Sequence, residues 1–183
     1  MRKIFIHEDD QCQTEILPSS DRRRCESIFQ EIEQRFGNSS HVNTQGLEPS
    51  DSSETHIQRD QLADLKIPIR AITDMLENQV LQYDVVETGT FTDRDVCKNT
   101  IALGNDISVT VFIEHSPEQI VESLYFQLAI EVWNECSPLE MLFCSLGQLY
   151  DLIFVDWPKC KLFCLRDTIA MNRYFEEDIR GDW

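Results

Sequence analysis

The chain is poor in the residues and patterns that mark most enzymes, membrane proteins and nucleic-acid-binding proteins. It holds only six glycines, and GxGxxG, GxxxxGK[ST], HExxH and GxSxG do not occur. No apolar run approaches the roughly 20 residues that a membrane helix needs. Lys and Arg total 16 against 33 for Asp and Glu, and the only dense basic cluster is Arg22-Arg23-Arg24, so the excess of basic residues that faces phosphates is not present. These absences argue against the corresponding enzyme classes, a membrane protein and a direct binder of DNA or RNA.

The cysteines lack the spacing of a disulfide framework or a zinc site. There are seven, an odd number, and no CxxC pair occurs. Three residues separate Cys160 from Cys164, but no histidine pair lies nearby to complete a zinc set. The amino terminus offers only a three-residue apolar run, so no secretory signal is predicted. We therefore expect reduced, partly buried thiols in a cytoplasmic protein, at positions Cys12, Cys25, Cys97, Cys136, Cys144, Cys160 and Cys164.

What the chain does have is negative charge and enough apolar residues for one core. The formal net charge is -17, with a pI near 4.5, and 42% of the 183 residues are hydrophobic. A chain of this length buries roughly 70% of its unfolded surface, which suits one domain over residues 1–183. Its electrostatic field repels nucleic acid and anionic membrane and attracts a basic partner.

Apolar periodicity predicts two helical regions in the first half of the chain. From Cys25 to Phe36, apolar residues recur at spacings of three and four, after the cap-forming segment 18–21. Residues 61–78 are helical in character, with a break at Pro68. Between these regions, the polar stretch at about 38–59 predicts a long exposed loop.

Strand signals alternate with two strong helix-start signals in the rest of the chain. Ser116-Pro117-Glu118-Gln119 and Ser137-Pro138-Leu139-Glu140 both match the capping box with proline at the first helical position, so each predicts a helix. The first of these helices would run through Leu124 to Val132, and a last helix would begin near Asp167 and carry the apolar residues Ile169, Tyr174 and Phe175. The continuous apolar run 152–155 predicts a central strand that is buried on both faces. Further strands are predicted at 4–6, 82–88, 101–103, 107–113 and 160–165, with a polar turn at 90–98 and a hairpin turn at 104–106.

This order of elements predicts an α+β fold. A single domain would hold a mixed, largely antiparallel sheet with helices packed against it. The opening strand at 4–6 would be buried and would deliver four ionisable side chains, residues 7–10, to the surface.

Two catalytic arrangements can be constructed from the sequence, and neither is specified by it. His7 with the carboxylates at 8–10 offers ligands for a divalent metal, which makes a small metal-dependent hydrolase or metal-binding regulator the alternative function. Adjacent side chains on a strand point to opposite faces, however, so all four cannot converge without a turn. Cys97 with His115 would form a nucleophilic pair only if folding brought them together. We assign no catalytic residue, metal ligand or cofactor.

Acidic side chains at strand ends and turns predict a protein-binding surface instead. If several share one edge of the sheet, they form an electronegative surface with Trp157 as its aromatic anchor. Charge then speeds encounter with a basic protein, and the buried anchor holds the complex. The predicted partner-binding residues are Glu8, Asp9, Asp10, Asp93, Asp95, Glu114, Asp156 and Trp157.

Three sets of short segments are informative together: residues 4–10 with Ile16-Leu17-Pro18, residues 88–90 through 97–101, and residues 152–157. They resemble the cytoplasmic immunity proteins of bacterial toxin systems, including the partners of contact-dependent growth inhibition toxins. The resemblance spans most of the chain and carries no site residue with it. It implies a non-enzymatic protein that binds and neutralises the toxic carboxy-terminal domain of a cognate effector, which we expect to be a basic nuclease. Neither nucleic acid nor membrane is an expected partner.

Overall fold

The structure is a computed structural model that describes residues 1–11, 13–36, 62–77, 79–104, 109–128 and 137–179. These ranges hold ten strands, four α-helices and four shorter helical turns. The strands are β1 (Lys3–His7), β2 (Thr14–Pro18), β3 (Leu81–Gln82), β4 (Val85–Gly89), β5 (Arg94–Val96), β6 (Thr100–Gly104), β7 (Val109–His115), β8 (Val121–Leu128), β9 (Leu152–Asp156) and β10 (Lys161–Cys164). The α-helices are α1 (Arg22–Phe36), α2 (Arg70–Leu76), α3 (Ser137–Leu149) and α4 (Thr168–Arg173). The turns are 3₁₀ at Glu8–Asp10, Ser19–Asp21 and Leu62–Leu65, and a π-helix at Tyr174–Ile179.

The strands form two sheets. Seven strands follow the order β10-β9-β2-β8-β7-β6-β3, and all neighbours in this sheet are antiparallel. The small sheet has the order β1-β4-β5, in which β1 runs parallel to β4 and β5 antiparallel to it. The predicted α+β class with largely antiparallel pairing is confirmed, although the strands divide between two sheets.

The large sheet is the middle layer of three. Phe154 and Leu152 on β9 face the core that includes residues of α2, α3 and α4. The intervening Ile153 and Val155 face Cys25 of α1 on the other side. The small sheet covers the remainder of that second face. All five residues of β9 are buried, so the prediction of a strand buried on both faces is confirmed, although β9 is second from the edge of the sheet and not at its centre.

The interior strand between β9 and β8 is β2, which the sequence did not predict as a strand. All five of its residues are buried, and it pairs with both β8 and β9. Its polar start, Thr14-Glu15, and its terminal Pro18 hide the strand pattern. The predicted opening strand is confirmed as β1, but it lies in the small sheet and only Ile6 is fully buried.

The first predicted capping-box helix is wrong. The Gln119 N–H donates to the Ser116 carbonyl at 3.0 Å, and the Ser116 hydroxyl accepts from the Glu118 N–H at 3.2 Å. This tight turn joins β7 to β8, which occupies the stretch predicted as helical. Apolar residues at Ile120, Leu124 and Leu128 are four apart, and a spacing of four places residues on one face of a strand as well as of a helix. Since Phe126 and Tyr125 are also buried, on opposite faces, the run fits a strand buried on both sides.

Other strand boundaries also differ from the predicted ones. The predicted strand at 82–88 divides into β3 and β4, which belong to different sheets, and the predicted polar turn at 90–98 contains β5. The loop predicted at about 38–59 and the turn residues 105–106 lie outside the described residues. In the described part of the chain, no helix is long and apolar enough to cross a membrane.

The remaining helices agree with the sequence. The segment before Pro68 is a 3₁₀ turn and α2 begins after it, while α3 begins at the second capping box. The Asp167 carboxylate caps α4 by accepting from the Ala170 N–H at 3.0 Å. Of the three apolar residues predicted on the last helix, Tyr174 and Phe175 are buried and Ile169 is 74% exposed.

Candidate functional site

The ends of β1 and β4 bring two acidic segments together. Because these strands are parallel and His7 pairs with Gly89, the residues that follow both strands leave at the same end of the small sheet. After His7 come three exposed carboxylates in one 3₁₀ turn, and the His7 Nδ1 accepts from the Asp9 N–H at 3.3 Å. After Gly89 comes a turn that ends at the exposed Asp93. We call Glu8, Asp9, Asp10 and Asp93 the acidic end.

The turn after β4 has a fixed conformation. Gly89 has φ +119°, and a Cβ at that position would lie 2.4 Å from the Asp93 carbonyl oxygen, so a side chain is excluded. The Thr90 N–H donates to the same carbonyl at 2.8 Å, and the Thr90 hydroxyl accepts from the Asp93 N–H at 3.1 Å. These contacts hold Phe91 at the tip of the turn.

The strand register defines which side chains share the outer face of the small sheet. Paired residues point to the same side, so this face lies opposite the one on which Ile6 and Val86 are buried. Two rows of paired residues cross it: Phe5, Glu87 and Val96 in one row, and His7, Gly89 and Arg94 in the next.

Aromatic rings cover much of this outer face. The ring of Phe91 lies 5.9 Å from that of Phe5 and 5.2 Å from that of His7, between ring centroids. The Arg94 guanidinium carbon lies 4.3 Å from the Phe5 ring centroid, within cation–π distance. Phe91 is nevertheless 75% exposed and Val96 58% exposed. We call Phe5, His7, Phe91, Arg94 and Val96 the aromatic face.

Glu87 joins the strands of this face electrostatically. Its Oε1 accepts from the Lys3 ammonium at 2.7 Å, and its Oε2 lies 3.7 Å from an Arg94 guanidinium nitrogen. The hydrogen bond from Lys3, together with both positive charges, holds the pKa of the Glu87 carboxyl below its usual range.

Acid is expected to loosen the small sheet before the large one. A lowered carboxyl pKa contributes stability that is present above the ordinary glutamate pKa and is lost as the pH falls through the lowered value. Amide hydrogen exchange at Val86 and Ile153, corrected for intrinsic rates, should show protection falling at Val86 first. In a Glu87→Gln variant this early loss should be absent; the same early loss in both proteins would contradict the assignment.

Two of the predicted partner-binding residues are engaged inside the molecule. Asp156 is 3% exposed and accepts from the Tyr174 hydroxyl at 2.7 Å and the Lys159 N–H at 3.0 Å, so it closes the turn after β9. Trp157 is half-buried, with its ring 5.5 Å from that of Phe29, and its Nε1–H donates to the buried Glu15 carboxylate at 2.7 Å. Trp157 therefore ties α1 to the large sheet, and Asp156 does not belong to an exposed acidic surface.

The other two predicted residues lie near the acidic end without joining it. Glu114 is partly buried and accepts from the Gln11 side chain at 3.0 Å and the Tyr125 hydroxyl at 3.4 Å. Asp95 is exposed on β5 but pairs with Thr88, so it points to the side opposite Phe91. The eight predicted residues thus reduce to the four of the acidic end.

The geometry gives the predicted catalytic alternatives no support. Within the described ranges, no three His, Cys, Asp or Glu side chains are placed to hold a metal ion. Burial raises the pKa of the Cys97 thiol; a hydrogen bond with Thr100 lowers it in part, and the Glu114 and Asp95 charges raise it, so the net shift is upward, whereas a nucleophilic cysteine needs a lowered pKa. Burial likewise raises the pKa of Cys25 to about 11.

Sequence reasoning missed the aromatic face, above all Phe91. The available signal was a single large aromatic residue inside the otherwise polar stretch 90–95. Comparison of the chain with family models, curated proteins and solved structures finds no match in any of the three. The functional argument therefore depends on the geometry and charge of this chain.

Proposed function

We propose that this chain is a cytoplasmic immunity protein that binds and neutralises the toxic carboxy-terminal domain of a cognate bacterial effector without catalysing a reaction. The observation that carries the proposal is the acidic end, where carboxylates from two distant segments, 8–10 and 93, meet on one exposed rim. Parallel pairing of β1 with β4 creates this rim, so the fold itself concentrates the charge.

The charge of the chain suits a nuclease as the toxin. A nuclease must present Lys and Arg to the phosphates of its substrate, so its active-site cleft is electropositive. A protein of net charge -17 is attracted to such a cleft, and a rim of carboxylates competes with the phosphates for the same cations. Binding at the cleft would neutralise the enzyme by excluding its substrate.

The rim is also arranged for rapid and selective binding. Asp9 has 82% of its side chain exposed, so its charge reaches a partner before contact. Hydrogen bonds within the turn 90–93 hold the second acidic segment in place before binding. A preformed surface loses little conformational entropy when it binds, which favours affinity.

Co-expression tests the proposal directly. We expect the carboxy-terminal domain of the effector encoded beside this gene to arrest growth when it is expressed alone. Co-expression with this chain should restore growth, and the two proteins should co-purify as a stoichiometric complex. A domain that is harmless alone, or a chain that neither binds nor protects, would overturn the proposal.

A further inference from the structure

Phe91 is among the most exposed apolar side chains of the described residues. Apart from the terminal Met1, it has the largest exposed fraction, 75%, among the large apolar side chains. An aromatic side chain buries some 150–250 Å² when it is covered, so leaving the ring in water forgoes a large hydrophobic stabilisation. The core does not need this ring, which sits on the outer side of the small sheet.

The ring has fixed neighbours although it is exposed. It packs against Phe5 and His7 on β1, and the turn that carries it is closed by two hydrogen bonds. A side chain that is already ordered pays little rotamer entropy when a partner covers it. The arrangement therefore resembles a preformed contact more than a loose surface residue.

The surroundings of Phe91 have the composition of an interface centre. Arg94 lies over the Phe5 ring and Val96 extends the apolar surface along β5. Aromatic residues and arginine are enriched at such centres, where few residues supply most of the binding energy, and polar residues form the rim. Here that rim is the acidic end, because Glu8 directly follows His7 and Asp93 lies two residues after Phe91.

We propose that the aromatic face is the anchor of the toxin-binding interface and that it covers an apolar side chain flanked by Lys or Arg on the toxin. This inference rests on the proposed function and selects the occupant by charge complementarity with the acidic end. The two surfaces then have separate roles: the acidic end sets the rate of association, and the aromatic face sets the rate of dissociation.

The experiment compares variants of Phe91 and Ile169, because the two side chains are exposed to nearly the same extent, 75% and 74%. The probe is the catalytically inactivated carboxy-terminal domain of the neighbouring effector, immobilised for kinetic measurement. Phe91→Ala should dissociate about 10- to 100-fold faster, with an association rate within about threefold of the original. Phe91→Tyr, which keeps the ring, should dissociate more slowly than Phe91→Ala, and Ile169→Ala should behave like the original protein.

Equal dissociation rates for Phe91→Ala and the original protein would overturn this inference and leave the proposed function standing. Absence of any binding by the original protein would instead overturn the proposed function. A photo-crosslinking amino acid at position 91 should join the two chains, whereas crosslinking at position 169 alone would place the interface elsewhere and overturn the inference. Circular dichroism on each variant establishes that the fold is retained.

Discussion

Replacing Glu8, Asp9 and Asp93 with lysine is expected to slow association with a cationic toxin domain about 100-fold at low ionic strength. Electrostatic steering raises association rates by roughly 10- to 1,000-fold, and these carboxylates are the charges that a partner approaching the acidic end meets first. The substitutions change the net charge by six, from -17 to -11. Dissociation should change less, because rim charges contribute little once the interface is formed.

A matched variant separates the position of the charge from its total. Lysine at Glu26, Asp84 and Asp151 also brings the net charge from -17 to -11. Asp84 lies at the start of β4, whereas the acidic end follows the other end of that strand. Asp151 likewise lies at the start of β9, and Trp157 follows its end. Their surface contacts are worth about 1 kcal/mol or less each, so the fold should survive.

Stopped-flow measurements of association over a range of salt concentrations show whether the acidic end or the total charge of the chain attracts the partner. The matched variant should slow association only a few-fold. At about 1 M salt, where the Debye length is near 3 Å, the association rates of the original protein and both variants should become equal. Equal slowing by both variants would mean that bulk charge, and not the acidic end, attracts the partner.

The sequence predicted those parts of the fold where local pattern and tertiary environment agree. The capping box at Ser137 and the apolar run at 152–155 each specify one structure, and both predictions are confirmed. The same capping signal at Ser116 forms a turn, because the following residues pair with β7 and β2 and bury both faces. Long-range pairing overrode the local helix signal there.

The candidate surface was only partly predictable for the same reason. Acids at strand exits were correctly placed after β1 and after β4, but their meeting depends on the pairing of Ile4 with Val86, which no local pattern encodes. Asp156 and Trp157 follow a strand in the same way. Instead, Asp156 accepts a hydrogen bond from Tyr174, 18 residues away in the sequence, and Trp157 donates one to Glu15, 142 residues away.

Replacing Phe154 with alanine is expected to reduce the free energy of unfolding by about 3–5 kcal/mol. The side chain is 0% exposed at the centre of β9, where its removal leaves a cavity that the surrounding layers cannot fully close. Its ring centroid lies 5.0–6.1 Å from those of Phe126, Phe143, Phe163 and Tyr174.

Urea denaturation of Phe154→Ala measures this loss, and Phe91→Ala serves as its control. The core variant should unfold at a much lower urea concentration with an unchanged m-value, while the exposed Phe91 variant should lose less than about 1 kcal/mol. A loss below about 1 kcal/mol for Phe154→Ala would contradict the assignment of β9 to the centre of the core. If that variant does not fold, Phe154→Leu retains most of the buried volume and should unfold at an intermediate concentration.

The two variants should have the opposite order of effects on binding, because Phe154 lies in the core on the opposite side of the large sheet from the small sheet. Folded Phe154→Ala should therefore bind the toxin domain with the original affinity, and Phe91→Ala should not.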